Sequence, residues 1–224
     1  MILEKRLTVL LAGLCMVAAS TCTMPAAAAS DPALDAAIRH LQTRWEQIKF
    51  DVPEGDKQTA LMDELGAEAD AVAAKYPDQP AALIWDGILT SERASLAGPF
   101  SALGLAKQAR DILEKADSID PAALDAGAPT SLGVLYYRVP GFPIGFGDTA
   151  KARKFLEQAV RIAPNGLDAW YFYGDFLYSQ SQYRKAAEAL GHALKLPPHP
   201  DRPIWDQNRR LVIQELLAKI QSRL

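Results

Sequence analysis

Ala169-Trp170-Tyr171-Phe172-Tyr173-Gly174, followed by Ala186, Leu190, Ala193 and Pro198, is the stretch whose reading decides the fold. The aromatic run sits in an apolar segment, 167–179, that does not alternate with period two, so it reads as a helix. Ala186, Leu190 and Ala193 recur at four- and three-residue steps and predict a second helix over 182–195, which Pro197-Pro198 cannot continue. Gly174 and Ala186 are twelve residues apart. Small residues at those points let the two helices cross closely, where a larger side chain would hold them apart.

The same frame recurs twice upstream: Gly133, Ala152, Leu156, Ala159 and Pro164, and before them Gly87, Ala109, Leu113, Ala116 and Pro121. The Ala-to-Pro portion keeps its spacing, while the link between paired helices is longer by about ten residues around Ser95 to Leu103 and about seven around Arg138 to Gly147. This frame resembles the tetratricopeptide repeat, a helix-turn-helix unit of about 34 residues with an aromatic before a Gly, an Ala twelve residues on and a closing Pro. The sequence therefore predicts an all-α fold, a short tetratricopeptide-like solenoid of antiparallel helix pairs with a C-terminal capping helix. Helices are expected at 32–50, 56–75, 81–96, 102–118, 128–138, 148–162, 167–179, 182–195 and 204–222. The predicted repeats span about 80–121, 122–164 and 165–198, with a degenerate pair over 31–77 and a cap over 204–223. Asp206, Arg209, Arg210, Glu215 and Lys219 of the cap are expected to face water.

Residues 1–29 have the order of a secretory signal peptide: Lys5-Arg6, the apolar run Leu7 to Ala19, then small residues to Ala29. Cleavage there leaves a helical repeat domain over 30–224, periplasmic or secreted. Cys15 and Cys22 both precede that point, so the mature chain has no thiol for a disulfide or metal. Ala19-Ser20-Thr21-Cys22 is a poor lipid-attachment motif, which makes lipoprotein anchoring at Cys22 the less favoured reading. The formal net charge of -3 gives no basic field for nucleic acid, and no stretch is apolar for the roughly 20 residues a membrane span needs.

The first helix of each pair lines the concave face of such a solenoid, so its side chains are the default binding candidates. The candidate partner or ligand groove is Trp85, Tyr136, Tyr137, Phe142, Phe146, Tyr171 and Tyr178, with Trp170 and Tyr173 at positions where the repeat buries large residues. Gly87, Ala109, Gly133, Ala152, Gly174 and Ala186 are the expected repeat-packing residues. Pro140-Gly141-Phe142-Pro143-Ile144-Gly145-Phe146-Gly147-Asp148 is too apolar to lie in water without cover; it either folds back over the solenoid edge or forms a lip beside a ligand or partner. His40, His192 and His199 are far apart, and no nucleophile elbow, phosphate-binding loop or metal-ligand spacing is present. No catalytic residue, metal or cofactor is expected. Asp86 and Glu92 are the acids to inspect, because they sit on a groove helix.

The run Tyr136-Tyr137-Arg138-Val139-Pro140-Gly141-Phe142-Pro143-Ile144-Gly145-Phe146-Gly147-Asp148, with Ala152 to Ala159 and Tyr171-Phe172-Tyr173-Gly174-Asp175-Phe176-Leu177, is similar to the periplasmic TatT-like components of tripartite ATP-independent periplasmic transporters. That resemblance implies an envelope helper associated with a solute-binding protein or a neighbour in a transport system. The expected function is a protein-binding adaptor or scaffold of the cell envelope. The alternative is a periplasmic carrier of a small apolar ligand in an aromatic groove, distinguished by a closed pocket in place of an open face.

Overall fold

The computed structural model describes residues 31–224. The expected signal peptide, both cysteines and the lipidation question at Cys22 lie outside the described residues. Among the described residues nine α-helices follow one another: α1 Pro32–Asp51, α2 Asp56–Lys75, α3 Pro80–Leu96, α4 Pro99–Ile119, α5 Ala123–Arg138, α6 Thr149–Ile162, α7 Leu167–Ser179, α8 Tyr183–Lys195 and α9 Pro203–Gln221. No β-strand occurs among them; the sole ladder contact there is an isolated bridge between Gly141 and Gly147.

The helix starts follow local chemistry. The Asp31 carboxylate accepts from the Ala33 N–H at 2.8 Å, ahead of Pro32 at the first turn of α1. Asp148 accepts from the Ala150 and Lys151 N–H groups at 2.9 and 3.0 Å and opens α6. Two boundaries differ from the sequence reading. Pro99 takes an early position in α4, so that helix starts three residues sooner than expected and only Ala97-Gly98 separate it from α3. The extra residues of that repeat lengthen its helices and do not form a long link. In α5 the right-handed helix begins only after Leu124, Asp125 and Ala126, whose φ angles of 50°, 54° and 60° make a left-handed turn.

Helices pack in antiparallel succession, α1 with α2, α3 with α4, α5 with α6 and α7 with α8, with α9 laid on α7 and α8. One contact recurs in three of these pairs. A Cβ on Gly87 would stand 2.5 Å from Leu113 Cγ, one on Gly133 2.5 Å from Leu156 Cγ, and one on Gly174 2.6 Å from Leu190 Cγ. Ala109, Ala152 and Ala186, one turn before those leucines, are fully buried. Each pair is thus locked by a leucine seated on a bare patch of backbone, and burial of the leucines stabilises each by about 2 kcal/mol.

In the cap Glu215 and Lys219 face water as expected, whereas Asp206, Arg209 and Arg210 do not. Asp206 is buried, and Arg210 joins it at 2.7 Å while donating to the carbonyls of Leu194, Leu196 and Pro197. Burial pushes the Asp206 carboxyl up, but the Arg210 guanidinium and the His199 N–H outweigh it and hold the group below the usual carboxylate range. The reason is positional: Arg210 satisfies the orphan carbonyls at the end of α8. Ile204, Leu211 and Val212 are the residues of α9 left outward and apolar.

Candidate functional site

The first helix of each pair turns toward a common concave surface, and α9 closes it by reaching α1. Arg202 Nε donates to Glu46 Oε1 at 2.7 Å, joining residues 156 positions apart. The result is a partly enclosed cavity of about 720 Å³, within the range that small-molecule sites occupy. Trp45, Trp85, Trp205 and Phe172 supply its aromatic wall. Lys49, Arg138, Arg202 and Arg209 supply its cations.

Those cations are held in place. Lys49 pairs with Glu92 at 3.0 Å, and Arg138 Nη2 meets Asp175 Oδ2 at 2.9 Å, sharing that oxygen with the Tyr137 hydroxyl. Arg209 Nε lies 2.6 Å from Asp168 Oδ1, an ion pair too oblique to count as a hydrogen bond for either atom. The guanidinium groups also cover aromatic faces: Arg202 Cζ is 4.5 Å from the Trp205 ring centre and 5.8 Å from that of Trp85, and Arg209 Cζ is 4.3 Å from Tyr171 and 4.9 Å from Phe172. Four further buried polar atoms, Nε1 of Trp45, Trp85 and Trp205 and Oγ1 of Thr130, have no hydrogen-bond partner, and all four residues line this cavity.

Of the groove residues expected from sequence, Trp85 lines the cavity and the others are placed elsewhere. Tyr136 is buried between α5 and α6, stacked on Phe155 with ring centres 5.7 Å apart, met edge-on by Phe146, and donating to Glu114 at 2.9 Å. Burial, followed by the Glu114 carboxylate, pushes its phenol up to about 12. The Tyr137 ring packs against Phe176, and burial raises its phenol beyond the ordinary range. Tyr171 is only 7% exposed beneath Arg209, whereas Trp170, expected in the core, is half-buried, donates to the Pro164 carbonyl at 2.8 Å and lies against His192. Neighbours on a helix point about 100° apart, and the aromatic run does not reveal which of them faces in. Tyr178 packs against Tyr183 outside the cavity.

The loop between α5 and α6 divides its apolar residues. Phe146 turns inward beneath the Arg110 guanidinium, Ile144 joins the cavity wall, and Phe142 stands 94% exposed. Gly147 makes the neck of the loop, since a Cβ there would fall 1.9 Å from the Val139 carbonyl oxygen. Asp86 faces away from the cavity toward α2; burial, and then the Asp70 carboxyl, push it up to about 7. Sequence reasoning missed Trp45, Trp205, Arg202, Arg209 and Thr130. Two of the cavity's tryptophans lie in the first and last helices, whose meeting no repeat spacing announces. Among the described residues no group of three or more His, Cys, Asp and Glu could hold a metal ion.

Residues 144–206 match the tetratricopeptide repeat family. That segment runs from the loop before α6 through α8 into the first turn of α9. The structure is similar to the crystal structure of a thermophilic tetratricopeptide repeat protein of Thermus thermophilus, with a TM-score of 0.56 and 14% identity over 84% of this chain and 90% of that one. No curated protein matches the sequence. The fold is thus an all-α tetratricopeptide-type solenoid. A fold of this class suggests protein–protein interaction, as an adaptor or scaffold, and such repeats typically work without catalysis. No helix among the described residues is long and apolar enough to cross a membrane.

Proposed function

We propose that the protein is an exported, non-catalytic binding protein of the cell envelope that holds a small, largely apolar ligand in its concave cavity. The observation that carries this reading is the closure of the concave surface by α9 against α1, which turns an open peptide-binding face into a chamber of about 720 Å³ walled by Trp45, Trp85 and Trp205. Export rests on the signal-like residues 1–29, and a role beside a transport system rests on the resemblance of the Tyr136 to Asp148 run. Native mass spectrometry of the protein purified from cells tests the chamber. A co-purifying molecule of small-ligand mass, released on unfolding and absent from a Trp85→Ala/Ile88→Trp variant, is expected; a bare chain that takes up no apolar probe overturns the reading.

A second reading, an adaptor for an envelope protein or peptide such as a solute-binding protein, is favoured by a separate observation. Phe142 and Ile144 are 94% and 70% exposed on a loop of fixed path, an arrangement that suits a contact with another protein. Cross-linking from a photoreactive residue at position 142 in intact cells tests it. One discrete protein adduct supports the adaptor reading, and the absence of any adduct removes its basis.

A further inference from the structure

We infer that the ligand of the cavity is an amphipathic anion, an apolar chain ending in a carboxylate or phosphate head. This rests on the reading of the cavity as a small-ligand site and adds the chemistry of what fits it.

The wall is divided by origin. Ile88 of α3, Leu103 of α4, and Val134 and Val139 at the end of α5 contribute aliphatic surface. Lys49 of α1 and Arg202 and Arg209 at the start of and within α9 contribute charge, beside Trp205. An apolar chain therefore has a surface to cover, and its polar end has a separate place to lie.

The sign of that polar end follows from the hydrogen-bonding inventory. Arg202 donates its Nε to Glu46, and Arg209 is ion-paired with Asp168; among the described residues neither guanidinium's terminal nitrogens donate to an acceptor. A guanidinium carries five N–H donors and no acceptor, so most of that capacity is free. Glu92 and Asp168 of the wall already face Lys49 and Arg209, while Asp125 is exposed to water. Free guanidinium N–H groups select a ligand head that accepts, and charge-assisted bonds from guanidinium to carboxylate or phosphate are the strong form of that match. A cationic head finds the opposite: the faces of Trp85, Trp205 and Phe172, which would form its cage, are covered by Arg202 and Arg209.

The protein holds its own reporter, because three of its four tryptophans line the cavity. Binding is read as quenching of tryptophan fluorescence by 11-bromoundecanoate, with dodecanoate, dodecyl phosphate, dodecanol and dodecyltrimethylammonium as competitors. Dodecanoate or dodecyl phosphate is expected to compete about tenfold more tightly than the alcohol or the ammonium, and the better of the two identifies the head group. Arg209→Met is expected to erase most of that preference by weakening dodecanoate and dodecyl phosphate far more than dodecanol, with the far-ultraviolet dichroism unchanged. Lys49→Met serves as the second variant should Arg209→Met fail to fold. If dodecanol competes as well as dodecanoate, the head-group inference falls while the cavity reading stands. If none of the four competes and the bromo probe does not quench, the cavity reading falls and takes the inference with it.

Discussion

Arg202, at the start of α9, and Glu46 of α1 meet at 2.7 Å, and Glu46 is only 6% exposed. A buried carboxylate that loses its cation keeps its desolvation penalty, so removal of one partner costs more than the pair itself is worth. Arg202→Ala is expected to destabilise the fold by about 3 kcal/mol, and Glu46→Gln in that background to recover part of the loss. Urea unfolding of the two single variants and the double variant measures it; equal midpoints for wild type and Arg202→Ala would show that the closure carries no stability.

The glycine-leucine locks predict a size effect with a specific remedy. Gly133→Ala places a methyl carbon 2.5 Å from Leu156 Cγ inside a packed pair and is expected to cost about 2 kcal/mol. Adding Leu156→Ala relieves the overlap, so the second substitution should cost much less in the Gly133→Ala background than in the wild type. Thermal melts of the four proteins read this non-additivity; strict additivity would mean that the two residues do not touch.

Asp86 gives the stability curve a slope. Its carboxyl is raised to about 7 in the folded chain, above its ordinary value of 3.8, so between those pH values the native state holds a proton that the unfolded chain has released. Stability from this group is therefore fully present at low pH and is lost as pH rises through about 7. Asp86→Asn removes the ionisation, and the difference in urea midpoint between pH 5 and pH 7.5 should shrink relative to wild type. An unchanged difference would place the titration elsewhere.

Within the α5–α6 loop two phenylalanines separate packing from exposure. Phe142→Ser is expected to change stability by no more than about 0.5 kcal/mol, since the ring is 94% exposed. Phe146→Ala removes a ring that sits edge-on to Tyr136 and under Arg110, and should cost about 2 kcal/mol. A large loss for Phe142→Ser would mean that its ring is covered in solution.

The helices are legible because the repeat writes them in small residues and prolines: the frame of Gly174, Ala186 and Pro198 carries over to Gly133, Ala152 and Pro164 with little noise. Asp31 and Asp148 mark their helix starts for a local reason, since an N-cap acts on backbone two or three residues away. The cavity is not legible, because it forms from the accumulated turn of four helix pairs, which brings Trp205 beside Trp45 and Trp85. A spacing rule sees neighbours along the chain and is blind to a meeting 156 positions apart. The aromatic run Trp170 to Tyr173 reads correctly as a helix but not by face, because four consecutive aromatics leave no polar residue to mark the outside. The charges of α9 mislead for the same reason in reverse: Arg210 is cationic and nonetheless turned inward by carbonyls that have no other donor.

Solenoids are open-ended by construction, and their stability is a sum over neighbouring units that tolerates gain or loss of a repeat. The contact of α9 with α1 turns this one from a line into a loop. Adding one helix pair anywhere along it would carry Arg202 away from Glu46 and breach the chamber, and deleting one would crowd it, so the number of units is fixed by closure and not by the repeat itself. Unfolding should then lose the end-by-end fraying of an open array and proceed as a single event.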